Sequence, residues 1–144
     1  MTPPSRHVVV AGYITNAGTN VDFTVAKLDG ASGAERWGQI INGTANGDAG
    51  AMSVALDGVG DVVAAGYTQN AGSTNFTVIK FDGAIGAVPW CRVITGTAPG
   101  AAGIAWSVTV DGLGNAVAAG RIPTAPNPYA FTVVKFRGTD GGDL

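Results

Sequence analysis

Few side chains in this sequence could do chemistry, and they lie far apart along the chain. His7 is the only histidine and Cys91 the only cysteine, so neither a Cys/His metal spacing nor an intrachain disulfide can form. His7 lies close to the start of the chain, and we expect no acid–base role for it. No nucleophile-elbow, zinc-protease or phosphate-loop motif is present. We therefore expect no catalytic residue and no cofactor.

The carboxylates follow turns rather than forming a cluster. The recurring ones are Asp29, Asp57, Asp61, Asp82 and Asp111. Aspartate in such a turn caps the backbone of the turn itself, whereas calcium needs six to eight oxygen ligands in one place. The loop at 42–48, Asn-Gly-Thr-Ala-Asn-Gly-Asp, could gather oxygens, but its counterpart at 95–102 has lost them. We expect no metal site.

Composition and charge exclude several classes of protein. The 144 residues allow one domain, 46% of them are apolar, and only 12% are charged. A formal net charge of −2 and a pI near 5.0 argue against a nucleic-acid binder. No secretory signal opens the chain, and no apolar run reaches the ~18 residues of a membrane span. We expect neither nucleic acid nor membrane as a partner. Cys91 lies in an apolar run, and we expect its side chain to be buried.

A repeat must position these side chains. The stretch 53–67 returns at 107–121, and Gly12, Gly66 and Gly120 fall at steps of 54 residues. Within the complete unit we predict strands at 51–56, 62–68, 76–81 and 89–95, joined by Asp/Gly turns and a polar loop. Four short antiparallel strands per unit are typical of one β-propeller blade. The predicted fold class is therefore all-β, with blades that are four-stranded antiparallel meanders.

The apolar residues of the predicted strands do not alternate with polar ones. The runs at 8–11 and 62–65 are apolar at successive positions, which predicts burial of both faces of each strand. A blade packed between two neighbours buries both faces. The Ala-Gly pairs at 11–12, 65–66 and 119–120 would then let backbones approach closely.

The phase of the repeat divides the chain unevenly. We predict an N-terminal tail at 1–6, a partial blade without its first strand at 7–50, a complete blade at 51–103, and a partial blade without its last strand at 104–144. The ring is therefore incomplete, with about 2.7 blades per chain. Because a blade needs a neighbour on each side, we expect other copies of the chain, or neighbouring blades of a longer chain, to cover the outer faces.

The motifs of the unit resemble the bacterial seven-bladed β-propeller (SBBP) repeats. The matching stretches are Ser-Val-Ala-Leu-Asp-Gly-Val-Gly-Asp at 53–61, Ala-Gly-Tyr-Thr at 65–68, Asp-Phe-Thr-Val-Ala-Lys-Leu-Asp at 22–29 and Gly-Ala-Glu-Arg-Trp at 33–37. They recur in one order and spacing over nearly all of 7–144, although Arg121 replaces the tyrosine and Arg137 the turn aspartate of the third unit. The resemblance implies a propeller from a bacterial secreted or cell-surface repeat protein.

The segment 27–37 also resembles the tryptophan-docking turn of quinoprotein-like propellers, which implies the fold and no quinone cofactor. Trp37 and Trp90 occupy equivalent positions in successive units. We expect each indole to dock on the neighbouring blade with its N–H on a carbonyl. Trp106 should point into a seam between blades or a central channel.

A protein or carbohydrate ligand is expected on the face that carries the loops at 15–22, 69–75 and 122–130 and the loops between units, because loops on a rigid scaffold carry most binding variation. The candidate residues are Asn16, Asn20, Asn46, Asp48, Asn70, Asn75, Asn127 and Tyr129. The sequence thus favours a non-catalytic binding or structural scaffold, part of a repeat protein or a self-assembling propeller fragment. The alternative is a fragment of a propeller enzyme, a quinoprotein-like dehydrogenase or a lyase.

Overall fold

The computed structural model describes residues 6–16, 18, 20–98 and 100–144. Positions 1–5 of the predicted N-terminal tail lie outside the described residues, as do Ala17, Thr19 and Pro99. The described ranges hold ten strands and no helix. The strands are β1 (His7–Thr15), β2 (Val21–Asp29), β3 (Glu35–Ile41), β4 (Ala49–Leu56), β5 (Val62–Asn70), β6 (Ser73–Phe81), β7 (Trp90–Ile94), β8 (Ile104–Val110), β9 (Ala116–Arg121) and β10 (Phe131–Phe136).

These strands form three open antiparallel sheets in chain order. The first sheet is β1-β2-β3, the second is β4-β5-β6-β7, and the third is β8-β9-β10. The all-β fold class is confirmed. The four strands predicted for the complete unit are β4 to β7, with their ends shifted by up to three residues.

Asp/Gly turns join the first two strands of the second and third sheets. The Asp57 carboxylate accepts the N–H groups of Val59 and Asp61 at 3.0 and 2.9 Å, and Gly60 has φ +93°. A glycine tolerates this left-handed conformation at no steric cost. Asp111 holds the equivalent turn of the third sheet in the same way.

The second sheet is buried on both faces. On one face Val62 and Ile79 belong to a core shared with the first sheet. On the other face Val63 and Val78 belong to a core shared with the third sheet. The unbroken apolar run at 62–65 therefore follows from burial on both sides, as predicted.

The run at 8–11 was predicted to be buried in the same way, and this is wrong for one of its faces. Val8 and Val10 are 48% and 44% exposed, because among the described residues no sheet packs on that side of β1. Val9 and Ala11, on the opposite face, pack against the core shared with the second sheet.

Two β-bulges recur at equivalent positions of the repeat. The pairing of β4 with β5 shifts between Ala51 and Ser53, and that of β8 with β9 between Ala105 and Ser107. Each bulge leaves one residue outside the register, Met52 and Trp106, and these are 52% and 46% exposed. Trp106 therefore lies outside both core clusters rather than in a packed seam.

Candidate functional site

The loops between strands gather at two opposite ends of the sheets. At one end, the β3–β4 loop meets the β5–β6 hairpin, where the N–H of Thr44 donates to Asn70 Oδ1 at 2.8 Å. The β7–β8 loop meets the β9–β10 loop at the same end, where the N–H of Thr97 donates to the Pro123 carbonyl at 2.8 Å. We call this the loop end, and it carries all the predicted ligand-binding residues.

The short turns at 57–61, 82–87, 111–115 and 137–142 lie at the other end, which we call the turn end. Here the N–H of Gly83 donates to Asp61 Oδ1 at 2.9 Å, and the N–H of Gly138 donates to Asn115 Oδ1 at 3.1 Å. Long loops and tight turns are thus separated, as the repeat predicts.

Half of the candidate residues come together beside the first sheet. Asn16, Asn20 and Asn46 line a cavity of 120 Å³ together with Asp22. Asp48 lies next to them, with Oδ1 accepting a backbone N–H of β2 at 3.2 Å. The structure therefore forms one polar cluster from two loops that are 26 residues apart in sequence.

Asn70 and Asn75 hold the β5–β6 hairpin instead of facing solvent. Asn75 is 1% exposed, its Oδ1 accepts Asn70 Nδ2 at 3.2 Å, and its Nδ2 donates to Ser73 Oγ at 3.1 Å. Asn70 also donates to Thr68 Oγ1 at 2.8 Å. Amides used in this way stabilise a loop and have little left for a ligand.

The third sheet presents a different surface at the loop end. Asn127 supports its own turn, accepting the N–H of Tyr129 on Oδ1 at 3.1 Å, while the Tyr129 ring is 69% exposed. The Arg121 guanidinium lies 5.1 Å from the Tyr129 ring centroid and 5.9 Å from that of Trp106. Two exposed aromatic rings flank one arginine here, an arrangement that suits cation–π contact.

Trp37 docks the first sheet onto the second at the turn end. Its indole N–H donates to the Gly83 carbonyl at 3.2 Å, and Lys27 Nζ donates to the same carbonyl at 2.6 Å. The ring packs on Gly86, where a Cβ would lie 2.7 Å from ring carbons. Phe81 stacks on the indole with a centroid distance of 6.0 Å.

Trp90 repeats this arrangement between the second and third sheets. Its N–H and Lys80 Nζ donate to the Gly138 carbonyl at 3.0 and 3.1 Å, and its ring packs on Gly141. Only glycine leaves room for the ring at these two positions. Both tryptophans are therefore used in contacts between sheets, and each is less than 10% exposed.

A cluster of charged groups supports the second docking contact. Lys80 Nζ lies 2.9 Å from Asp57 Oδ2 and 3.2 Å from Asp61 Oδ2. Burial disfavours the charged form of Asp57, but hydrogen bonds from Lys80 and from the N–H groups of Asp61 and Val59 outweigh it and lower the pKa of Asp57. Burial also disfavours the charge of Lys80, and its two carboxylate partners nevertheless raise its pKa.

Clefts open at the turn end between neighbouring sheets. The one between the second and third sheets has a volume of 520 Å³ and is lined by Asp57, Lys80, Asn115 and Gly138 among others. The one between the first and second sheets has a volume of 450 Å³. Both are larger than the cavity at the loop end, although the sequence placed ligand binding at the loop end alone. In the larger cleft Lys80 pairs with Asp57, and in the smaller one Lys27 Nζ donates to the Gly83 carbonyl.

The two isolated reactive residues do not form a catalytic set. Cys91 is exposed on β7, so the prediction of a buried thiol is wrong. The reason is that β7 is an edge strand of the second sheet, where the residues at 91–93 are all exposed. His7 lines the cleft between the first and second sheets. Within the described ranges no three His, Cys, Asp or Glu side chains are placed to hold a metal ion.

In comparisons with known proteins, no family model matches the chain, and no curated protein matches it significantly. The family resemblance therefore rests on the motifs of the chain itself. In the described part of the chain, no helix is long and apolar enough to cross a membrane.

Sequence reasoning missed several residues of these sites. Lys80 was not selected, although the motif Phe-Thr-Val-x-Lys recurs in β2, β6 and β10 and could have indicated it. Asp22 was seen only as part of the repeat motif. No pattern in one sequence signals that a carboxylate will be buried beside asparagines from another loop.

Proposed function

We propose that the three sheets are successive blades of a β-propeller of the bacterial seven-bladed (SBBP) repeat type, and that the chain is a non-catalytic binding or structural module. The way one sheet docks on the next supports this. The tryptophan and lysine contacts between the first and second sheets recur between the second and third. Repeating one packing step around an axis is how a propeller is built.

The observation that carries the proposal is the exposure of one face of the third sheet. Phe23 and Phe76 begin the same motif in β2 and β6 and are 0% exposed, because the next sheet covers them. Phe131 begins it in β10 and is 74% exposed. Val133 is 57% exposed, although Val78 at the equivalent position is 0% exposed. The third sheet thus repeats an apolar face that is buried in the other two sheets, and none of the described residues covers it.

The first sheet has the complementary uncovered face. Val8 and Val10 are about half exposed, whereas Val62 and Ala64 at the equivalent positions are fully buried against the first sheet. The uncovered face of the first sheet is thus equivalent to the face of the second sheet that packs on the first. The uncovered face of the third sheet is equivalent to the face of the second sheet that packs on the third.

Gly12 provides a backbone argument for the same side of the first sheet. A Cβ on its equivalent, Gly66, would overlap the Gly50 carbonyl of the neighbouring strand β4. Nothing lies within 4 Å of a Cβ on Gly12. The repeat keeps a glycine suited to close approach of another strand, and β1 is an edge strand beside which no further strand of the described residues pairs.

The occupant of both faces is another unit of the same repeat, and a second copy of the chain supplies it head to tail. The third sheet of one copy packs on the first sheet of the next in this arrangement. Such a heterologous interface closes into a ring or continues as a filament, depending on the rotation at each step.

Light scattering tests this proposal. We expect the wild-type chain to have several times the 14.3 kDa mass of one copy, and Phe131→Glu to reduce that mass by placing a charge on the uncovered face. Val59→Glu is the matched control, because Val59 is 85% exposed at the turn end. A wild-type monomer that unfolds cooperatively at high micromolar concentration, with slow amide exchange in the first and third sheets, contradicts the proposal.

A fragment of a propeller enzyme remains the alternative function, and no contact between the described residues favours it. The carboxylates that recur with the repeat are used in turns, as Asp57 and Asp111 are. Within our proposal, ligands belong at the loop end beside Trp106 and Tyr129, since exposed aromatic rings stack on sugars and anchor proteins. The family resemblance supports a secreted or cell-surface location.

A further inference from the structure

The cavity at the loop end of the first sheet has an unusual lining. It measures 120 Å³ and lies where the β1–β2 loop meets the β3–β4 loop. Its lining residues are Asn16, Gly18, Asn20, Asp22, Asn42 and Asn46. Every one of these except the glycine carries a side-chain oxygen, so the cavity is a small space lined by side chains that can offer oxygen to a cation.

Asp22 is the charged group of this cavity, and it is incompletely bonded. The residue is 3% exposed. Its Oδ2 accepts a hydrogen bond from Asn16 Nδ2, whereas its Oδ1 is buried and has no hydrogen-bond partner within the described structure. A buried carboxylate without a compensating charge or full hydrogen bonding is costly. An occupant of the cavity that stabilises the negative charge of Asp22 would remove this cost.

The second sheet shows that the fold itself does not require a carboxylate here. The equivalent of Asp22 is Asn75, which is equally buried at 1% exposed. Both polar atoms of Asn75 are bonded inside its own hairpin, by Asn70 and Ser73. The first sheet thus has a charged residue with an unbonded oxygen where its neighbour has a neutral residue whose oxygen and nitrogen are both hydrogen-bonded.

The surrounding amides can supply further oxygens to the cavity. Asn42 Nδ2 donates to Asn46 Oδ1 at 2.7 Å, and Asn20 Nδ2 donates to the Asn46 carbonyl. Asn46 has φ +51°, a conformation that asparagine tolerates better than most residues. Since an amide offers nitrogen or oxygen in nearly the same space, rotation by half a turn would put an oxygen of Asn16, Asn20 or Asn42 where its nitrogen now donates, and a cation between the oxygens would replace the hydrogen bond that is lost.

We propose that this cavity is a calcium site, with the Asp22 carboxylate as its anchor and asparagine oxygens and water as the other ligands. All-oxygen ligation in a flexible loop suits Ca²⁺, whereas Mg²⁺ requires a tighter octahedral set and Zn²⁺ prefers the nitrogen and sulfur ligands that this cavity lacks. Because only one carboxylate lines it, the expected affinity is weak, with a Kd on the order of 1 mM, as in extracellular modules. This inference does not depend on the propeller assignment.

Thermal unfolding at fixed protein concentration tests the site, with and without calcium. In about 10 mM CaCl₂ we expect the Tm of the wild-type chain to rise by about 4 °C over its value in EDTA, because calcium binds only the folded state. The same concentration of MgCl₂ should leave the Tm unchanged. Asp22→Asn, which copies the residue of the second sheet, should raise the Tm in EDTA and abolish the response to calcium.

The control is Asp143→Asn, which removes the same charge from an exposed position near the other end of the chain and should respond to calcium like wild type. The proposal is overturned if calcium leaves the wild-type Tm unchanged, which would mean that water alone fills the cavity. It is also overturned if Mg²⁺ acts like Ca²⁺, if Asp22→Asn keeps the response, or if that variant is less stable than wild type in EDTA.

A second variant keeps the test decisive should Asp22→Asn fail to fold. Asn20→Asp adds a carboxylate to the cavity, and calorimetric titration with CaCl₂ should show an affinity about tenfold higher than that of wild type, since calcium affinity increases with the charge of the ligands. An unchanged or weaker affinity for Asn20→Asp would contradict the assignment.

Discussion

Gly86 lies under the Trp37 ring, and replacing it by alanine should destabilise the fold by more than its conformation alone explains. Its φ of +73° costs a residue with a Cβ about 1–2 kcal/mol. The new Cβ would also lie 2.7 Å from two carbons of the indole, well inside the optimal carbon–carbon separation of about 3.5–4.0 Å. Overpacking of this kind costs about 1–3 kcal/mol, so Gly86→Ala should lose about 2–5 kcal/mol.

Gly33 is the matched control, because it occupies the same turn position in the first sheet. Its φ is +72°, but nothing lies within 4 Å of its Cβ position. Gly33→Ala should therefore lose only the conformational part, about 1–2 kcal/mol. Gly141→Ala, where φ is +71° and the Trp90 ring is 2.8 Å away, should behave like Gly86→Ala. The difference between the variants isolates the contact with the tryptophan ring.

Urea unfolding followed by far-ultraviolet circular dichroism gives these free energies of unfolding from the midpoint and slope. A double-mutant cycle completes the test: in a Trp37→Ala background, the cost of Gly86→Ala should fall to that of Gly33→Ala. Equal losses for Gly33→Ala and Gly86→Ala in the wild-type background would refute the reasoning, because the indole would then contribute nothing at the glycine.

Three further predictions concern an ion pair, a docking hydrogen bond and a close approach of backbones in the same sheets. Asp57 has a pKa below its ordinary 3.8 and Lys80 a pKa above its ordinary 10.5. The contribution of Asp57 to stability is therefore present above about pH 4 and lost as the pH falls, while that of Lys80 is present below about pH 10.5 and lost as the pH rises. Urea midpoints across pH should show both losses, and Lys80→Met should reduce both; an unchanged profile argues against the pair. Trp90→Phe removes an N–H donor but keeps a ring, and should cost about 1 kcal/mol in urea unfolding; no loss would mean that the hydrogen bond is unimportant. Gly66→Ala should destabilise every form of the chain, whereas Gly12→Ala should leave the unfolding of a single copy unchanged and lower the mass seen by light scattering; the reverse order would contradict the role assigned to β1.

Much of the fold could be predicted because each local sequence pattern occurs in more than one unit of the repeat. The 54-residue spacing of Gly12, Gly66 and Gly120 identified equivalent strands, and aspartate with glycine located the turns. The apolar run at 62–65 indicated a sheet that is covered on both sides. These signals depend on backbone conformation and on side-chain alternation, which neighbouring residues in the sequence determine.

The candidate sites were less accessible, because each joins residues from different loops. Asn75 was selected as a ligand-binding residue because of its type and its place near a loop. In the structure it is buried, and its side-chain amide is hydrogen-bonded within a hairpin. Asp22 was not selected, and only the folded chain places it beside asparagines of the β3–β4 loop. The partners of Lys80 likewise come from another strand connection and another sheet.

The sequence by itself determined the all-β class, the repeat and the places of most strands and turns, since these follow from short-range chemistry. Only the tertiary structure decided which copies of a repeated motif are covered. Phe76 and Phe131 begin the same motif, but one is 0% and the other 74% exposed. The physical reason is that burial requires a second surface in contact. A strand with the same motif lies in the core where another sheet packs on it, and at the surface where none of the described residues does.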